Sequence, residues 1–326
     1  MIALKQNEYC MNIKRSMGTR QTAQKWAASA VFILLQGCAA SSLMPSSQPT
    51  IEFPKGPALP AAALPEFVVG ESFTYNDGQS ETVIAVRGDA VTWRSDQGVI
   101  RTRSRSFFLP VLSWQNSARR SQTVMTGDVR KMWPLKTGVS YRFDERQIAE
   151  DNDGTNNREY KRSWQCTVKG TEQVNVPAGS YDTYRIECYR YTYESSFWRQ
   201  TRVYNFAPNL GYYVARDDTY ASRPSGRREL VSAGFDSRVL SRADQSGLIE
   251  FMNKTMNTSL DGKILSWKSP SIDLNVQIKV LNTFAAKNGG VCRNYTSSYI
   301  FSGKSRSNQR AVCLRQDGSW GRPETQ

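Results

Sequence analysis

CTVKGTEQVNVPAGSYDTYRIEC, residues 166–188, is the stretch that decides the fold. Its two cysteines lie equally far on either side of Pro177. The Pro-Ala-Gly sequence at 177–179 supplies the fixed φ and the permissive glycine that a tight turn needs. Paired residues of an antiparallel hairpin lie equally far from its turn, so the two cysteines face each other. The stretch therefore predicts a hairpin closed by a disulfide between Cys166 and Cys188.

Residues 67–220 around this hairpin show the same strand and turn signals. Short segments rich in Val, Tyr, Trp, Thr and Phe alternate with turns that contain Gly, Asp and Asn. Thr82–Val86 and Ala90–Arg94, for example, flank the turn Arg87–Asp89 and predict another hairpin. The sequence therefore predicts an all-β N-terminal domain over residues 67–220, built as a sandwich or an open barrel.

The C-terminal part of the chain has a different pattern. Leu248, Met252 and Met256 fall four residues apart, so Gln245 to about Thr258 predicts an amphipathic helix. Strands follow it. The last two cysteines lie equally far on either side of Ser302-Gly303 and predict a second disulfide hairpin. The second predicted disulfide joins Cys292 and Cys313. The chain is therefore expected to be mainly β, with a small C-terminal α+β domain of one helix and antiparallel hairpins.

The N-terminus carries a targeting signal. Basic residues precede the apolar run Trp26–Leu35, which is too short to span a bilayer. The run ends in Leu35-Gln36-Gly37-Cys38, which resembles the lipobox of bacterial lipoproteins. This resemblance implies a signal peptide that is cleaved between Gly37 and Cys38. It also implies that Cys38 carries lipid, palmitate included, and anchors the protein to a membrane.

Composition completes the domain plan. The segment after Cys38 is rich in Pro, Ala and Ser and predicts an extended tether. A Ser-, Arg- and Gly-rich stretch predicts a linker between the two domains. The predicted regions are signal peptide 1–37, tether 38–66, all-β domain 67–220, linker 221–245 and C-terminal domain 246–326.

The residue inventory restricts the chemistry. The 326 residues include no histidine, which removes the commonest general base and metal ligand. The acidic loop Glu150–Asn157 fails the calcium-loop pattern because Ala149 stands at its first ligand position. No catalytic residue, metal site or cofactor is therefore predicted. Carboxylate-only chemistry of the glycosidase kind survives, although no acidic pair stands out.

The positive charge of the chain indicates anionic partners. The net charge of the chain is +14, and nucleic acid is not expected outside the cell. Arg101, Arg103 and Arg105 alternate with small polar residues, so all three lie on one face of a strand. This stripe is a candidate site for an anionic envelope component; the alternative is an ordinary solvated sheet face.

The C-terminal residues resemble a known family. Val291–Tyr295 reads VCRNY and Ala311–Trp320 reads AVCLRQDGSW. With the preceding helix and strand, these segments resemble the seventeen-kilodalton surface antigen family of outer-membrane lipoproteins, over about the last 80 residues. The family usually has a glycine-rich, membrane-active segment where this chain has a β domain. The resemblance therefore implies an envelope protein and implies no catalytic residue.

These signals predict a non-enzymatic, lipid-anchored envelope lipoprotein with a structural or surface-recognition role. Ala39 follows the anchor where an aspartate would resemble an inner-membrane retention signal, so the outer membrane is expected, facing the periplasm or the cell surface. The alternative is a periplasm-facing ligand-binding module for a lipid or an anionic glycan. Expected partners are the membrane through the anchor, anionic lipid headgroups, lipopolysaccharide and peptidoglycan.

Overall fold

The computed structural model describes residues 56–286 and 289–321 and is mainly β, as the sequence predicts. Twelve antiparallel strands form a closed barrel, in which each strand pairs with the next and the last pairs with the first. The predicted signal peptide lies outside the described residues. The barrel strands are β1 Glu71–Tyr75, β2 Ser80–Arg87, β3 Ala90–Ser95, β4 Ile100–Ser104, β5 Ser113–Gln115, β6 Arg119–Thr126, β7 Ser140–Asp151, β8 Arg158–Val176, β9 Gly179–Thr192, β10 Trp198–Ala207, β11 Tyr212–Tyr220 and β12 Gly226–Phe235.

Strand β12 closes the barrel and corrects the predicted linker 221–245. It pairs with β11 on one side and with β1 on the other, where Glu71 is opposite Phe235. Arg228 and Leu230 face inward on β12 and are buried, while Val231 is exposed. The arginines and glycines of the segment conceal this period of two. The strand with which β12 pairs lies far earlier in the sequence, so a local pattern cannot identify it.

One half of the barrel interior is filled with aromatic rings. Trp93 stacks on Tyr212 with ring centroids 5.1 Å apart, and Phe73 packs on Tyr212 at 4.6 Å. Phe107 and Phe206 add a further stack at 5.1 Å. All five side chains are buried. This part of the interior is a packed core, so side chains occupy the space that an apolar ligand would need.

Part of the predicted tether 38–66 lies against the barrel. Residues 38–55 are outside the described residues, but residues 56–66 are not an extended spacer. Ala62 exchanges two backbone hydrogen bonds with Leu135 at 3.1 and 2.8 Å, and both residues are buried. The Tyr184 hydroxyl donates to the Pro60 carbonyl at 2.8 Å. Proline prevents regular structure here but leaves the carbonyls free to accept these bonds.

The C-terminal module consists of helix α1, Arg242–Thr258, and a five-stranded antiparallel sheet. The helix begins three residues before the predicted start because Ser241 caps it, its Oγ accepting from the Asp244 N–H at 3.1 Å. Leu248 and Met256 of the helix belong to the same core as the inward side chains of the sheet. The sheet strands are β13 Ile264–Lys268, β14 Leu274–Ala285, β15 Val291–Phe301, β16 Lys304–Leu314 and β17 Trp320–Gly321.

The structure contains both disulfides that the hairpin geometry predicts. Cys166 and Cys188 are directly opposite each other in β8 and β9, and Cys292 and Cys313 are opposite in β15 and β16. Among the described residues, no helix has the length and apolar character needed to cross a membrane.

Candidate functional site

The predicted arginine stripe lies on the inner face of the barrel. Arg101 is opposite Trp93 and Arg103 is opposite Val91, and both partners are buried core residues. Arg103 makes a two-pronged pair with Glu81, with nitrogen–oxygen distances of 2.9 and 3.0 Å. Arg101 Nη1 lies 3.6 Å from the same carboxylate. Two of the three arginines therefore share one buried acid.

This geometry corrects the surface interpretation of the stripe. The alternation places Arg101 and Arg103 on one face of β4, but that face is turned inward, and Arg105 lies beyond the end of the strand at Ser104. Arg105 Nε donates to the Pro65 carbonyl at 2.6 Å, and its Nη2 lies 3.7 Å from Glu66 Oε1. Arg101 and Arg103 share the Glu81 carboxylate and Arg105 lies near Glu66, so the predicted stripe is not an ordinary solvated sheet face.

Glu81 remains ionised inside the barrel. Burial opposes its charge, but the guanidinium of Arg103, followed by those of Arg228 and Arg101, lowers the pKa of Glu81 to about 2. Arg103 also donates to the Tyr212 hydroxyl at 2.9 Å. This contact joins the ionic group directly to the aromatic core.

A second ionic group surrounds Asp218. Arg202 Nε and Arg216 Nε lie 2.6 and 2.8 Å from its two oxygens, and Gln200 donates to it at 2.7 Å. Burial opposes the charge of Asp218, but these two guanidinium groups lower its pKa. The carboxylate is therefore held in its charged form by paired cations.

A third group forms on β7 and β8. Glu145 accepts from Arg162 Nη1 at 2.6 Å and from the indole N–H of Trp164 at 2.6 Å. Arg162 Nη1 also donates to the Gln147 amide oxygen at 3.0 Å. Strand alternation places Glu145 on the same face as buried Phe143 and Arg162 on the same face as buried Trp164, so this group lies on the inner face.

Glu81 and Asp218 do not fit the role of the acid in glycoside hydrolysis. A glycosidase needs one carboxyl group that keeps its proton near neutral pH. Glu81 and Asp218 instead have lowered pKa values because arginines stabilise their charged forms. Within residues 56–286 and 289–321, no three His, Cys, Asp or Glu side chains gather as a metal ligand set would.

A polar cleft lies on the outer side of the barrel, between β12 and β16. Its volume is about 800 Å³, within the range of small-molecule sites. Tyr181 lines it, and its charged members are Asp96, Arg306 and Arg310. The lining also contains neutral hydrogen-bonding side chains, namely Thr74, Ser80, Asn209, Ser232, Ser305, Ser307, Asn308 and Gln309.

Buried ionic contacts hold the cleft in place. Glu71 of β1 is 1% exposed and lies 2.9 Å from Lys304 Nζ and 3.0 Å from Arg306 Nη2. Arg306 also donates to the Leu210 carbonyl at 2.6 Å. These contacts fix β16 beside the barrel wall, so the walls of the cleft are set before a ligand arrives.

Asn308 is the most informative residue of the cleft. Its side chain is buried, and its amide nitrogen has no hydrogen-bond partner among the described residues. A Cβ atom at Gly234 would lie 2.7 Å from that nitrogen, so glycine is required for β12 to approach this closely. A buried amide donor without a hydrogen-bond partner is unfavourable.

Sequence reasoning missed most residues of these sites. Cys38 and Gly37 lie outside the described residues, and their roles stay predictions. A signal for the inner arginines does exist, because Arg162 precedes Trp164 by two positions and Arg202 precedes Tyr204 by two. In a strand, this spacing places arginine and ring on one face.

The comparisons with known proteins agree with the C-terminal resemblance. Residues 254–321 match the model of the family described as 17 kDa outer membrane surface antigen, which confirms the prediction for this part of the chain. No curated protein matches the sequence significantly.

Two solved structures show a partial likeness. The hypothetical lipoprotein YmcC from Escherichia coli K12 is 10% identical, with 51% of this chain and 84% of that chain covered and a TM-score of 0.35. A putative exported protein with a YmcC-like fold from Bacteroides fragilis is 15% identical, with 53% and 99% covered and a TM-score of 0.33. The family match supports an envelope protein, and the part of the chain from the middle of α1 to β17 carries a domain of the outer membrane surface antigen type.

Proposed function

We propose that this protein is a lipid-anchored lipoprotein of the outer membrane that recognises a hydroxyl-rich envelope glycan, such as a peptidoglycan strand, in the cleft beside its barrel. The observation that carries the proposal is the polar cleft of about 800 Å³ with the unpartnered amide of Asn308 on its wall. Its role is recognition without chemical change.

The lining chemistry favours a sugar. Hydroxyl groups of a glycan donate and accept hydrogen bonds, as do the serine, asparagine and glutamine side chains of the cleft. Tyr181 supplies a ring on which a sugar face can pack. Glu71 is shared by Arg306 and Lys304, and the lining adds Asp96 and Arg310, so the cleft is weakly positive and suits a neutral or weakly anionic glycan.

The barrel interior argues against the lipid-binding alternative. Trp93, Tyr212 and Phe73 occupy the apolar half of the barrel. A lipid tail would have to displace them, which would lose the burial that stabilises the core. The glycan cleft lies on the opposite side of the wall and needs no such displacement.

Binding to purified peptidoglycan sacculi tests the recognition role. Gln309→Ala removes an exposed amide in the cleft, and Asn308→Ala removes the unpartnered one. Each hydrogen bond contributes about 1 kcal/mol, so we expect each variant to bind roughly fivefold more weakly. The matched control is Gln122→Ala, which removes an exposed glutamine from the outer face of β6 and leaves the affinity unchanged.

Two results would contradict this role. One is a wild-type protein that does not sediment with sacculi. The other is a set of cleft variants that bind as tightly as Gln122→Ala, which would remove the cleft from the interaction.

The lipid anchor has its own test. Cells grown with labelled palmitate should incorporate label into the wild-type protein and not into Cys38→Ala. The variant should also leave the membrane fraction. An unlabelled wild type that fractionates as a soluble protein would refute the anchor and leave the glycan proposal standing.

A further inference from the structure

The three ionic groups inside the barrel form one continuous band. We call it the arginine band and define it by Arg101, Arg103, Arg162, Arg190, Arg202, Arg216 and Arg228. Arg228 lies 4.0 Å from Glu81 and is opposite Arg216 in the β11–β12 register. The guanidinium of Arg202 lies 5.9 Å from the Trp164 ring, which joins the groups around Asp218 and Glu145.

The band has too few acids for its cations. Four carboxylates face the seven arginines among the described residues: Glu81, Glu145, Asp218 and Asp77, the last 2.9 Å from Arg228. Three positive charges are therefore in excess in a space partly shielded from water. Such an excess is unfavourable when the site is empty and favours an anion that can enter.

Among the described residues, Arg190 is the member of the arginine band that makes no ion pair. It is opposite Trp164 and Gln200, both buried, so its side chain is on the inner face. Its guanidinium lies 6.0 Å from the Trp164 ring, and no hydrogen bond or ion pair reaches it from the described residues. Burial and repulsion from Arg162 lower the pKa of Arg190; Glu145 opposes this shift, and Arg202 and Arg223 add to it.

Two hydroxyl groups near Arg162 are also unpartnered. Ser121 and Thr123 of β6 are 3% and 8% exposed, and their hydroxyl oxygens have no hydrogen-bond partner among the described residues. Thr123 is opposite Gln147, whose amide oxygen accepts from Arg162. Unpartnered buried hydroxyls beside excess cations are the donors that an oxyanion uses.

Solvent reaches the band. The side chains of Arg162, Arg202 and Arg216 keep 22, 23 and 25% exposure, although their carboxylate partners are almost fully buried. A small anion can therefore approach from the end of the barrel where the turns 152–157, 193–197 and 221–225 lie.

We propose that the arginine band binds a phosphate-bearing anion, with Arg190 as the residue that makes the binding possible. Guanidinium groups match phosphate oxygens through paired hydrogen bonds, and the excess of three charges matches a diphosphate better than a single carboxylate. The site is separate from the glycan cleft and does not depend on it.

Thermal unfolding and calorimetric titration of the full-length chain with inorganic pyrophosphate test this site, with sodium chloride adjusted to constant ionic strength. We expect pyrophosphate to raise the Tm of the wild type. Arg190→Gln should bind at least tenfold more weakly. Without pyrophosphate its Tm should equal or exceed that of the wild type, because a repelled cation has been removed.

The control is Arg142→Gln, which makes the same charge change at an exposed arginine on the outer face of β7. It should bind pyrophosphate like the wild type. Arg190→Met keeps the length of the apolar stem and should lose binding like Arg190→Gln, so a folding defect in one variant leaves the other as a test.

A second arm distinguishes a free anion from a lipid headgroup. In this arm, vesicles of phosphatidylcholine and phosphatidylglycerol in equal parts replace pyrophosphate. If Arg190→Gln loses vesicle binding and pyrophosphate competes with the vesicles, the site binds a headgroup phosphate. Equal binding of pyrophosphate by wild type and Arg190→Gln overturns the proposal. So does a wild type that binds neither pyrophosphate nor vesicles.

Discussion

The two halves of the barrel interior have the same strand geometry but contain different kinds of side chain. In the aromatic half, Phe73, Trp93 and Tyr212 are directed inward by strand alternation and removed from water. In the other half, the same alternation directs inward the seven arginines of the arginine band. Burial of the rings stabilises the fold, whereas burial of charges must be offset by pairing. One half therefore stabilises the barrel, and the other is the half that we propose binds an anion.

The boundary between the halves is sharp. Tyr212 packs on the rings and accepts a hydrogen bond from Arg103 through its hydroxyl. On the other wall, Cys188 is opposite Arg202, while Ile186 two residues away is opposite Tyr204 in the core. The Cys166–Cys188 disulfide therefore lies where apolar packing gives way to ion pairs, and it ties β8 to β9 at that level.

The largest expected effect comes from the aromatic half. Phe73→Ala removes a ring that is 1% exposed and contacts both Trp93 and Tyr212. We expect it to lower the free energy of unfolding by about 4 kcal/mol, the usual range for a buried phenylalanine. Guanidinium chloride unfolding, monitored by tryptophan fluorescence, measures this.

The matched control is Phe197→Ala at a ring that is 66% exposed. It should change the free energy of unfolding by no more than about 0.5 kcal/mol. If Phe73→Ala changed the free energy of unfolding as little as the control, the aromatic half would not be the stabilising core of the barrel.

Sequence reasoning could predict the hairpins because each is a local pattern. Cys166 and Cys188 lie on either side of their own turn, so the register follows from the sequence alone. Closure of the barrel is not local. It needs β12 beside β1, and nothing in the sequence near Gly226–Phe235 identifies Glu71–Tyr75 as the partner. The closed barrel therefore could not be distinguished from a sandwich or an open barrel.

The arginine stripe shows a second limit. Alternation correctly placed Arg101 and Arg103 on one side of β4, but it cannot tell the inner from the outer side when both carry polar residues. Their partner Glu81 is on β2, two strands away. General preference places charges outside, and this protein departs from it in the half of the interior that we propose binds phosphate.

The second prediction concerns the pH dependence of the charged half. The folded pKa of Glu81 is about 2, below its ordinary value of 4.5, because Arg103 and its neighbours outweigh the effect of burial. A depressed carboxyl pKa contributes stability that is present above pH 4.5 and lost as the pH falls towards 2. The contribution is about 3 kcal/mol for a shift of this size.

Glu81→Gln should therefore be less stable than the wild type by about 3 kcal/mol at pH 7, and the gap should close as the pH approaches 2. Unfolding curves recorded across this range measure it. The control Glu194→Gln changes an exposed carboxylate on the turn between β9 and β10 and should follow the wild type. A constant gap at every pH would mean that Glu81 acts through packing and not through its charge.

The smallest expected effect tests the difference between the halves through two threonines. The Thr123 hydroxyl is buried in the charged half without a partner, whereas the Thr183 hydroxyl donates to the Glu172 carbonyl at 2.9 Å. Valine has nearly the same shape, so Thr123→Val removes only an unsatisfied group and should raise the free energy of unfolding by about 1 kcal/mol. Thr183→Val breaks a made bond and should lower it by about the same amount. Because both substitutions are identical and both sites lie on strands, strand propensity cancels and only the state of the hydroxyl remains. Urea unfolding without added anion gives both values. If the two variants were destabilised equally, the Thr123 hydroxyl would already be satisfied in the empty protein, and it would not be held ready for an anion.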